Sequence, residues 1–402
     1  MQRIQIQRFN RKFPGAHVPV GSYALPHRGL SVGRGSVQGH RAGSAHRLYL
    51  PLFLSIVLGC AFSLSAVRGV SQDEPQDKPA KQNDRGEKAA KKQSRAQAAA
   101  KLPTVLWRDP GDIASLDLAG GAGGAQDAPH PDAEYVFVKE DMNGTSPKFY
   151  VKGDGGVEWL VKIGEEAKPE TASARLVWAM GYFTDEDYFV PKIHVSAMPK
   201  LHRGSKDVAA DGTVMNVRLK RQGPGLKKIQ NWDWYDNPFL GEREFNGLRV
   251  MMALINNWDL TTVNNKIYVT DTERRLLVSD LGASFGKTGA TTTRSKGVLK
   301  DYEDSKFIRE RKADTVSFEM RTRPLPVLAP FEHKNYEKRS RMEQIEDNIP
   351  VADVAWIGNQ LAKLSPQQIR DAFHTAGFSA DEVEGYTHAV QKRIADLNQV
   401  EP

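Results

Sequence analysis

The chain has 402 residues, enough for two or three domains or one large two-lobed one. Hydrophobic residues make up 40%, charged residues 26% and aromatics 8%, which excludes wholesale disorder, collagen and coiled-coil fibres; a single long apolar run excludes a polytopic membrane protein. The formal charge of +7 belongs to the N-terminus: residues 1–70 hold nine basic groups and no acid, leaving 47 against 49 in the remainder. A whole-domain electrostatic footprint for nucleic acid is therefore absent. The single cysteine, Cys60, allows no intrachain disulfide and no Cys-based zinc site.

Residues 48–67 (LYLPLFLSIVLGCAFSLSAV) carry no charge, follow His46-Arg47 and end near the small residues Ala66 and Gly69. That pattern reads as a secretory signal. An uncleaved anchor and a lipoprotein leader at Val57-Leu58-Gly59-Cys60 are the alternatives. In each case the basic residues ahead of the run stay inside. The body is expected to be exported, periplasmic or extracellular in a bacterial-type envelope, with residues 48–67 as a membrane tether wherever the run is retained. The 47 residues before the run are long for a leader, and an internal start read here as Val32 or Val37 is expected. Residues 71–101 contain no Ile, Leu, Val or aromatic residue, too little apolar surface to offset the entropy of ordering. They read as a disordered charged linker.

The folded body begins with strand-like segments. Residues 134–139 (EYVFVK) alternate, residues 141–147 make a turn, and residues 148–152 (KFYVK) form a second strand. Gly153-Asp154-Gly155-Gly156 supplies the positive-φ positions of a hairpin. In the third strand, residues 157–163, Val157, Trp159, Val161 and Ile163 share one face, with Leu160 and Lys162 on the other. Pro169-Glu170 then opens a helix, the acid complementing its positive end. Residues 187–196 and 213–221 read as two further strands. The expectation is a small antiparallel sheet with one helix inserted.

Residues 242–256 have Phe245, Leu248, Met252 and Ile255 at helical spacing. A loop with Asp259, Asn264 and Asn265 follows, then a hairpin over residues 266–278 that ends on Asp280-Leu281-Gly282. Asp259 through Asn264 resembles the catalytic loop of the protein-kinase-like superfamily, and Asp280-Leu281-Gly282 resembles its metal-binding segment. Lys162 is similar to that superfamily's phosphate-pairing lysine, with Glu170 as its helix partner. The order of elements over residues 134–290 also matches. The resemblance is to atypical members: phosphatidylinositol 3/4-kinases, HipA-type kinases and spore-coat-type secreted kinases. It implies an α+β, two-lobed fold, with a small antiparallel sheet plus one helix and a larger, mostly helical lobe. It also implies ATP and Mg²⁺ as cofactors.

The chemistry needs these residue types on its own account. Phosphoryl transfer requires a metal bridging phosphate oxygens, a cation on the phosphates and a carboxylate beside the attacking hydroxyl. Asp280 would hold Mg²⁺, with Asn264 or Asn265 completing the set. Lys162 would fix the phosphates, oriented by Glu170, and Asp259 would act on the acceptor. No GxGxxG occurs, so Gly144, Thr145 and Ser146 would cover the phosphates through amides and hydroxyls. Asn257-Trp258, not His-Arg, precedes Asp259, and no Ala-Pro-Glu follows. The ten His show no HExxH spacing and no Gly-x-Ser-x-Gly elbow occurs, so metalloprotease and esterase readings have no support.

Blander readings stand beside these. Lys162 also fits a solvated strand lysine. Glu170 also fits plain stabilisation of a helix start, and Glu165 and Glu166 compete for its partner role. Asp271, Glu273, Arg274 and Arg275 fit a solvated hairpin tip, and Trp232, Trp234, Pro238 and Phe239 a packed corner. Residues 301–341 are charged and interrupted by proline. Beyond them, residues 351–364 form a helix, Ser365-Pro366 starts another, and Ser379 with Glu382 makes a capping box for the last. The expected division is a leader at 1–70, linker at 71–101, N-terminal lobe at 102–222, C-terminal lobe with catalytic-like loops at 223–345 and helical extension at 346–402. The function expected is Mg-dependent phosphoryl transfer from ATP to a hydroxyl on a protein, lipid or small molecule. The alternatives are a pseudokinase-type binding module and an envelope-associated structural protein.

Overall fold

The computed structural model describes residue 94 and residues 97–130, 132–223, 227–290, 292–328 and 330–400. All belong to the unit Pro75–Pro402. The apolar run at 48–67 and most of the expected linker lie outside the described residues. Among the described residues, no helix is long and apolar enough to cross a membrane.

The strands are β1 (Thr104–Val105), β2 (Glu134–Glu140), β3 (Lys148–Lys152), β4 (Glu158–Lys162), β5 (Phe183–Thr184), β6 (Asp187–Ser196), β7 (Thr213–Arg221), β8 (Lys227–Gln230), β9 (Asn265–Val269), β10 (Arg274–Val278), β11 (Ile308–Arg311), β12 (Thr315–Phe318) and β13 (Ile349–Pro350). The helices are α1 (Ala167–Ala179), α2 (Arg243–Leu254), α3 (Leu299–Asp304), α4 (His333–Glu343), α5 (Val351–Leu361), α6 (Pro366–His374) and α7 (Ala380–Asn398). The fold is mixed α and β.

The expected small antiparallel sheet is present and goes further: β2, β3, β4, β7 and β6 close into a barrel. Closure comes from a parallel pairing, Glu134 with His194 through Val136 with Ser196. β6 is ten residues long, so its first part pairs with β7 while its last residues reach β2. Closing the barrel removes both free edges. Period-two alternation decides the faces. Phe149, Val151, Trp159, Val161, Val217 and Leu219 fill the barrel, while Lys148, Tyr150, Leu160, Lys162, Arg218 and Lys220 fall on its outer surface.

α1 starts two residues before the expected Pro169, which leaves Pro169 at the third helical position. Its missing N–H is among those the first turn leaves unbonded anyway. β9 and β10 pair antiparallel, and β10 is flanked by β1 and β5 in parallel. Of the expected solvated hairpin tip, Asp271 is exposed and Arg274 and Arg275 are half-buried, and Glu273 is the residue that departs from it. Glu273 is buried, taking Arg108 at 2.9 Å and Arg275 at 2.6 Å.

A second apolar cluster takes Leu248 and Met252 of α2 together with Val354 and Ile357 of α5, Phe373 of α6 and Tyr386 of α7. Trp232 and Trp234 pack edge-on with centroids 4.8 Å apart inside it. Arg393 of α7 donates to the Ala253 and Leu254 carbonyls at the end of α2, satisfying acceptors that a helix terminus leaves open. Residues 351–398 thus share one core with the helix that leads into the Asp259 loop. Ser365 and Ser379 each form a full capping box, with Gln368 and Glu382.

Candidate functional site

Three segments converge on one cavity. β4 places Lys162 on the outer face of the barrel, α1 runs past it with Glu166 and Glu170, and the end of β10 delivers Asp280. Lys162 Nζ lies 2.7 Å from Glu170 Oε2, 3.0 Å from Glu166 Oε2 and 2.5 Å from Asp280 Oδ1. Lys162 is 2% exposed, so it is not a solvated strand lysine. Burial pushes its ammonium towards neutrality, but Glu170 and Asp280 outweigh this and hold its pKa above the ordinary lysine range. Burial likewise pushes the Asp280 carboxyl up, yet the adjacent Lys162 brings it down to about 2. For Glu166, burial is outweighed by Lys162 and Lys296, and its carboxyl also sits at about 2.

Two backbone features hold this arrangement. Asp280 has φ of +58°, a left-handed conformation that Asp and Asn tolerate better than other side chains. Gly282 needs to lack a side chain, because a Cβ there would lie 2.7 Å from Glu166 Cβ. The Asp-Leu-Gly turn therefore lies directly against the start of α1.

Glu170 is shared. Its Oε1 accepts from Arg218 Nη2 at 3.0 Å, and Arg218 Nη1 lies 3.3 Å from Asp187 Oδ1. Both competing partner residues also find roles. Glu166 pairs with Lys162, whereas Glu165, largely exposed, pairs with Lys296 at 3.0 Å. Carboxylate oxygens of Glu166, Glu170 and Asp280 all lie within 4.8 Å of one another. Carboxylates are the hard oxygen donors Mg²⁺ takes, but Lys162 Nζ already sits between these three, so the metal donors left facing the cavity are the free oxygen of Asp280 and the neighbouring Asn264.

The cavity has a volume of about 740 Å³. Lys162, Glu170, Asp280, Asn264 and Gly144 line it, and Asn265, Asp259, Thr145 and Ser146 do not. Asn265 is turned into the core, its amide donating to the Trp232 carbonyl at 3.2 Å. Ser146 Oγ instead donates to Glu166 Oε2 at 2.8 Å, which ties its loop to α1, while Thr145 is exposed. Gly144 has φ of +69°, and Arg203 clamps its loop by donating to the Asp141 and Gly144 carbonyls.

Asp259 is fixed from three sides. Its N–H donates to Asn257 Oδ1 at 3.0 Å, and Asn264 Nδ2 donates to its carbonyl at 2.9 Å and to Oδ2 at 3.3 Å. Arg339 of α4 approaches Oδ1 at 3.4 Å. The Trp258 N–H donates to the Ala283 carbonyl at 3.1 Å, joining this loop to the Asp280 turn.

Sequence reasoning missed Arg218, Arg339, Lys220, Lys266 and Asp185. Lys220 and Lys266 both reach Asp185 Oδ2, at 3.2 and 3.3 Å, and Ser279 Oγ donates to the same oxygen. Burial raises the Asp185 carboxyl, and the two ammoniums more than reverse it, holding it well below the usual range. The alternation of residues 213–221 separates Arg218 and Lys220 from Val217 and Leu219, which was the available signal. Nothing in the sequence places Arg339, 80 residues beyond Asp259, next to it.

No family model and no curated protein matches the chain. Among solved structures it is similar to the Helicobacter pylori proinflammatory kinase CtkA, at 10% identity and a TM-score of 0.35, over 67% of this chain and 98% of that one. It is similar to the Golgi casein kinase at 10% identity and a TM-score of 0.30, over 68% and 73%. It is also similar to the amicoumacin kinase hAmiN, solved with AMP-PNP, Ca²⁺ and Ami, at 13% identity and a TM-score of 0.20, over 67% and 90%.

Proposed function

We propose that the chain is an exported, two-lobed, atypical kinase-like protein that transfers the terminal phosphoryl group of ATP to a hydroxyl acceptor. The observation that carries this reading is the joining of Lys162 to Glu170 on α1 and to Asp280 after β10. Phosphoryl transfer uses a lysine paired with a helix carboxylate and an aspartate beside it for the metal; here these three groups meet, with Asp280 resting on the lysine. Lys162 would neutralise phosphate oxygens, and Glu170, anchored by Arg218, would keep it in place. Asp280 and Asn264 line the cavity and would hold Mg²⁺, which supplies charge neutralisation on the transferring group. Asp259, oriented by Asn264 and Arg339, would take the acceptor's hydroxyl proton as the new O–P bond forms and the bond to ADP breaks. The acceptor is a protein, lipid or small-molecule hydroxyl.

Asp259 lies outside the cavity lining and both its carboxylate oxygens are engaged. That observation favours a second reading, a binding module without turnover. ATP consumption and nucleotide affinity, measured on the purified full chain, separate the two. Asp259→Asn should bind Mg-ATP and lose roughly 10²–10⁴ in turnover. Asp280→Asn, which keeps the left-handed backbone, should lose binding as well. Tight binding without turnover in the wild type would establish the second reading, and wild-type binding by Asp280→Asn would remove Asp280 from the site. Export rests on residues 48–67. A reporter fused after Pro402 should be active outside the cytoplasm alone, and cytoplasmic activity would reject it.

A further inference from the structure

The strand register arranges the cavity's ceiling in two rows. Lys148 lies opposite Lys162, and Lys162 opposite Arg218. These three form one row across β3, β4 and β7, on strands about 4.8 Å apart. Two residues along, Tyr150 lies opposite Leu160, and Leu160 opposite Lys220. The first row is wholly cationic. The second, where a nucleoside's base would rest once its phosphates lay on Lys162, offers one aliphatic side chain, Leu160, and one aromatic ring, Tyr150, beside the ammonium of Lys220.

The facing wall is no drier. It presents Lys266, Lys228 and Asn231 to the cavity, with Tyr268 and Val263. Lys220 and Lys266 converge there on the single buried carboxylate of Asp185, so two ammoniums share one negative charge. Pockets that select a flat heterocycle are lined mainly by apolar and aromatic side chains, with few polar groups. This cavity has the opposite balance. Lys148, Lys162, Arg218, Lys220, Lys228 and Lys266 line it against only Asp141, Glu170 and Asp280, so the lining carries an excess of cations along its length, and a ligand with anionic groups along its whole length matches it.

We propose that the cavity recognises a chain of phosphates and does not select a base. Its ligand class is a linear polyphosphate, whether the triphosphate of any nucleotide or an inorganic one. The inference rests on the kinase-like reading and names the donor that site would accept. An inorganic donor would also need no nucleotide supply outside the cytoplasm.

The test is titration calorimetry on the full chain with Mg²⁺ and, separately, ATP, GTP, CTP, inorganic tripolyphosphate and adenosine. ATP, GTP, CTP and tripolyphosphate should bind within about threefold of one another, and adenosine should not bind. Lys148→Ala, which gives up one long ion contact at 4.0 Å to Asp141, should keep the wild-type unfolding midpoint within a few degrees and weaken ATP and tripolyphosphate by the same factor. Tyr268→Ala should leave the ratio of their affinities unchanged. A preference of tenfold or more for one nucleotide overturns the inference while leaving the kinase-like reading in place. A Tyr268→Ala loss confined to ATP does the same, because it would show a stacked base. Failure of every phosphate compound to bind overturns both.

Discussion

Glu170→Gln removes one charge and almost no volume from a position that is 1% exposed. The carboxylate it replaces touches two buried cations, Lys162 at 2.7 Å and Arg218 at 3.0 Å. Taking one partner from a buried ion pair costs about 3–5 kcal/mol, since the charge left behind has lost its compensation. Neither cation here is wholly abandoned. Lys162 keeps Glu166 and Asp280, and Arg218 keeps Asp187 at 3.3 Å. The lower end, about 3 kcal/mol, is therefore expected. At about 2 °C per kcal/mol for a chain of this size, the unfolding midpoint should fall by about 6 °C. Because the pair is out of reach of counter-ions, the deficit should persist from about 0.05 to 0.5 M salt. The control is Glu165→Gln, which breaks a contact to Lys296 through a side chain that is 71% exposed. Exposed pairs contribute about 0–1 kcal/mol. Midpoints for the two variants that cannot be told apart would refute the claim that Glu170 anchors Lys162 through its charge.

Other perturbations test neighbouring claims. Gly282→Ala sets a Cβ 2.7 Å from Glu166 Cβ; overpacking of this kind costs about 1–3 kcal/mol. Thermal unfolding should register that loss, and a wild-type midpoint would mean the turn is not pressed against α1. Glu346 is buried, and one of its carboxylate oxygens has no hydrogen-bond partner. Burial, reinforced by Asp347, pushes its carboxyl well above the ordinary value. The native state thus keeps a proton that the unfolded chain releases above about pH 4.3, so stability falls as pH rises from there towards the native pKa. Glu346→Gln should raise the midpoint at pH 7 and leave it unchanged near pH 4; an equal effect at both values would show that ionisation is not involved. Arg339→Ala should lower turnover while sparing nucleotide affinity, because Arg339 touches Asp259 and does not line the cavity. A parallel loss of affinity would place it in the nucleotide site instead.

What the sequence determined by itself is what depends on near neighbours along the chain. Alternation over residues 148–152 and 158–162 set which side chains fill the barrel and put Lys162 on the other face, because successive residues of a strand point to opposite sides. Helical spacing of Phe245, Leu248 and Met252 marked α2, and the hydroxyls of Ser365 and Ser379 marked two helix starts through bonds that close within four residues. Only the tertiary structure decided what depends on distant segments meeting. The parallel closure of β2 on β6 turned a sheet into a barrel, and no local pattern records which strand covers an edge. The competition among Glu165, Glu166 and Glu170 was settled by the pitch of α1 and its docking on β4. Glu166 and Glu170, one turn apart, both reach Lys162, and Glu165 points to solvent. Asn264 and Asn265 are adjacent and chemically identical, yet one lines the cavity and the other faces the core, as neighbouring residues entering a strand must. Arg218, Arg339 and the Asp185 cluster were invisible for the same reason: a charge in sequence looks solvated until the fold buries it beside an opposite one.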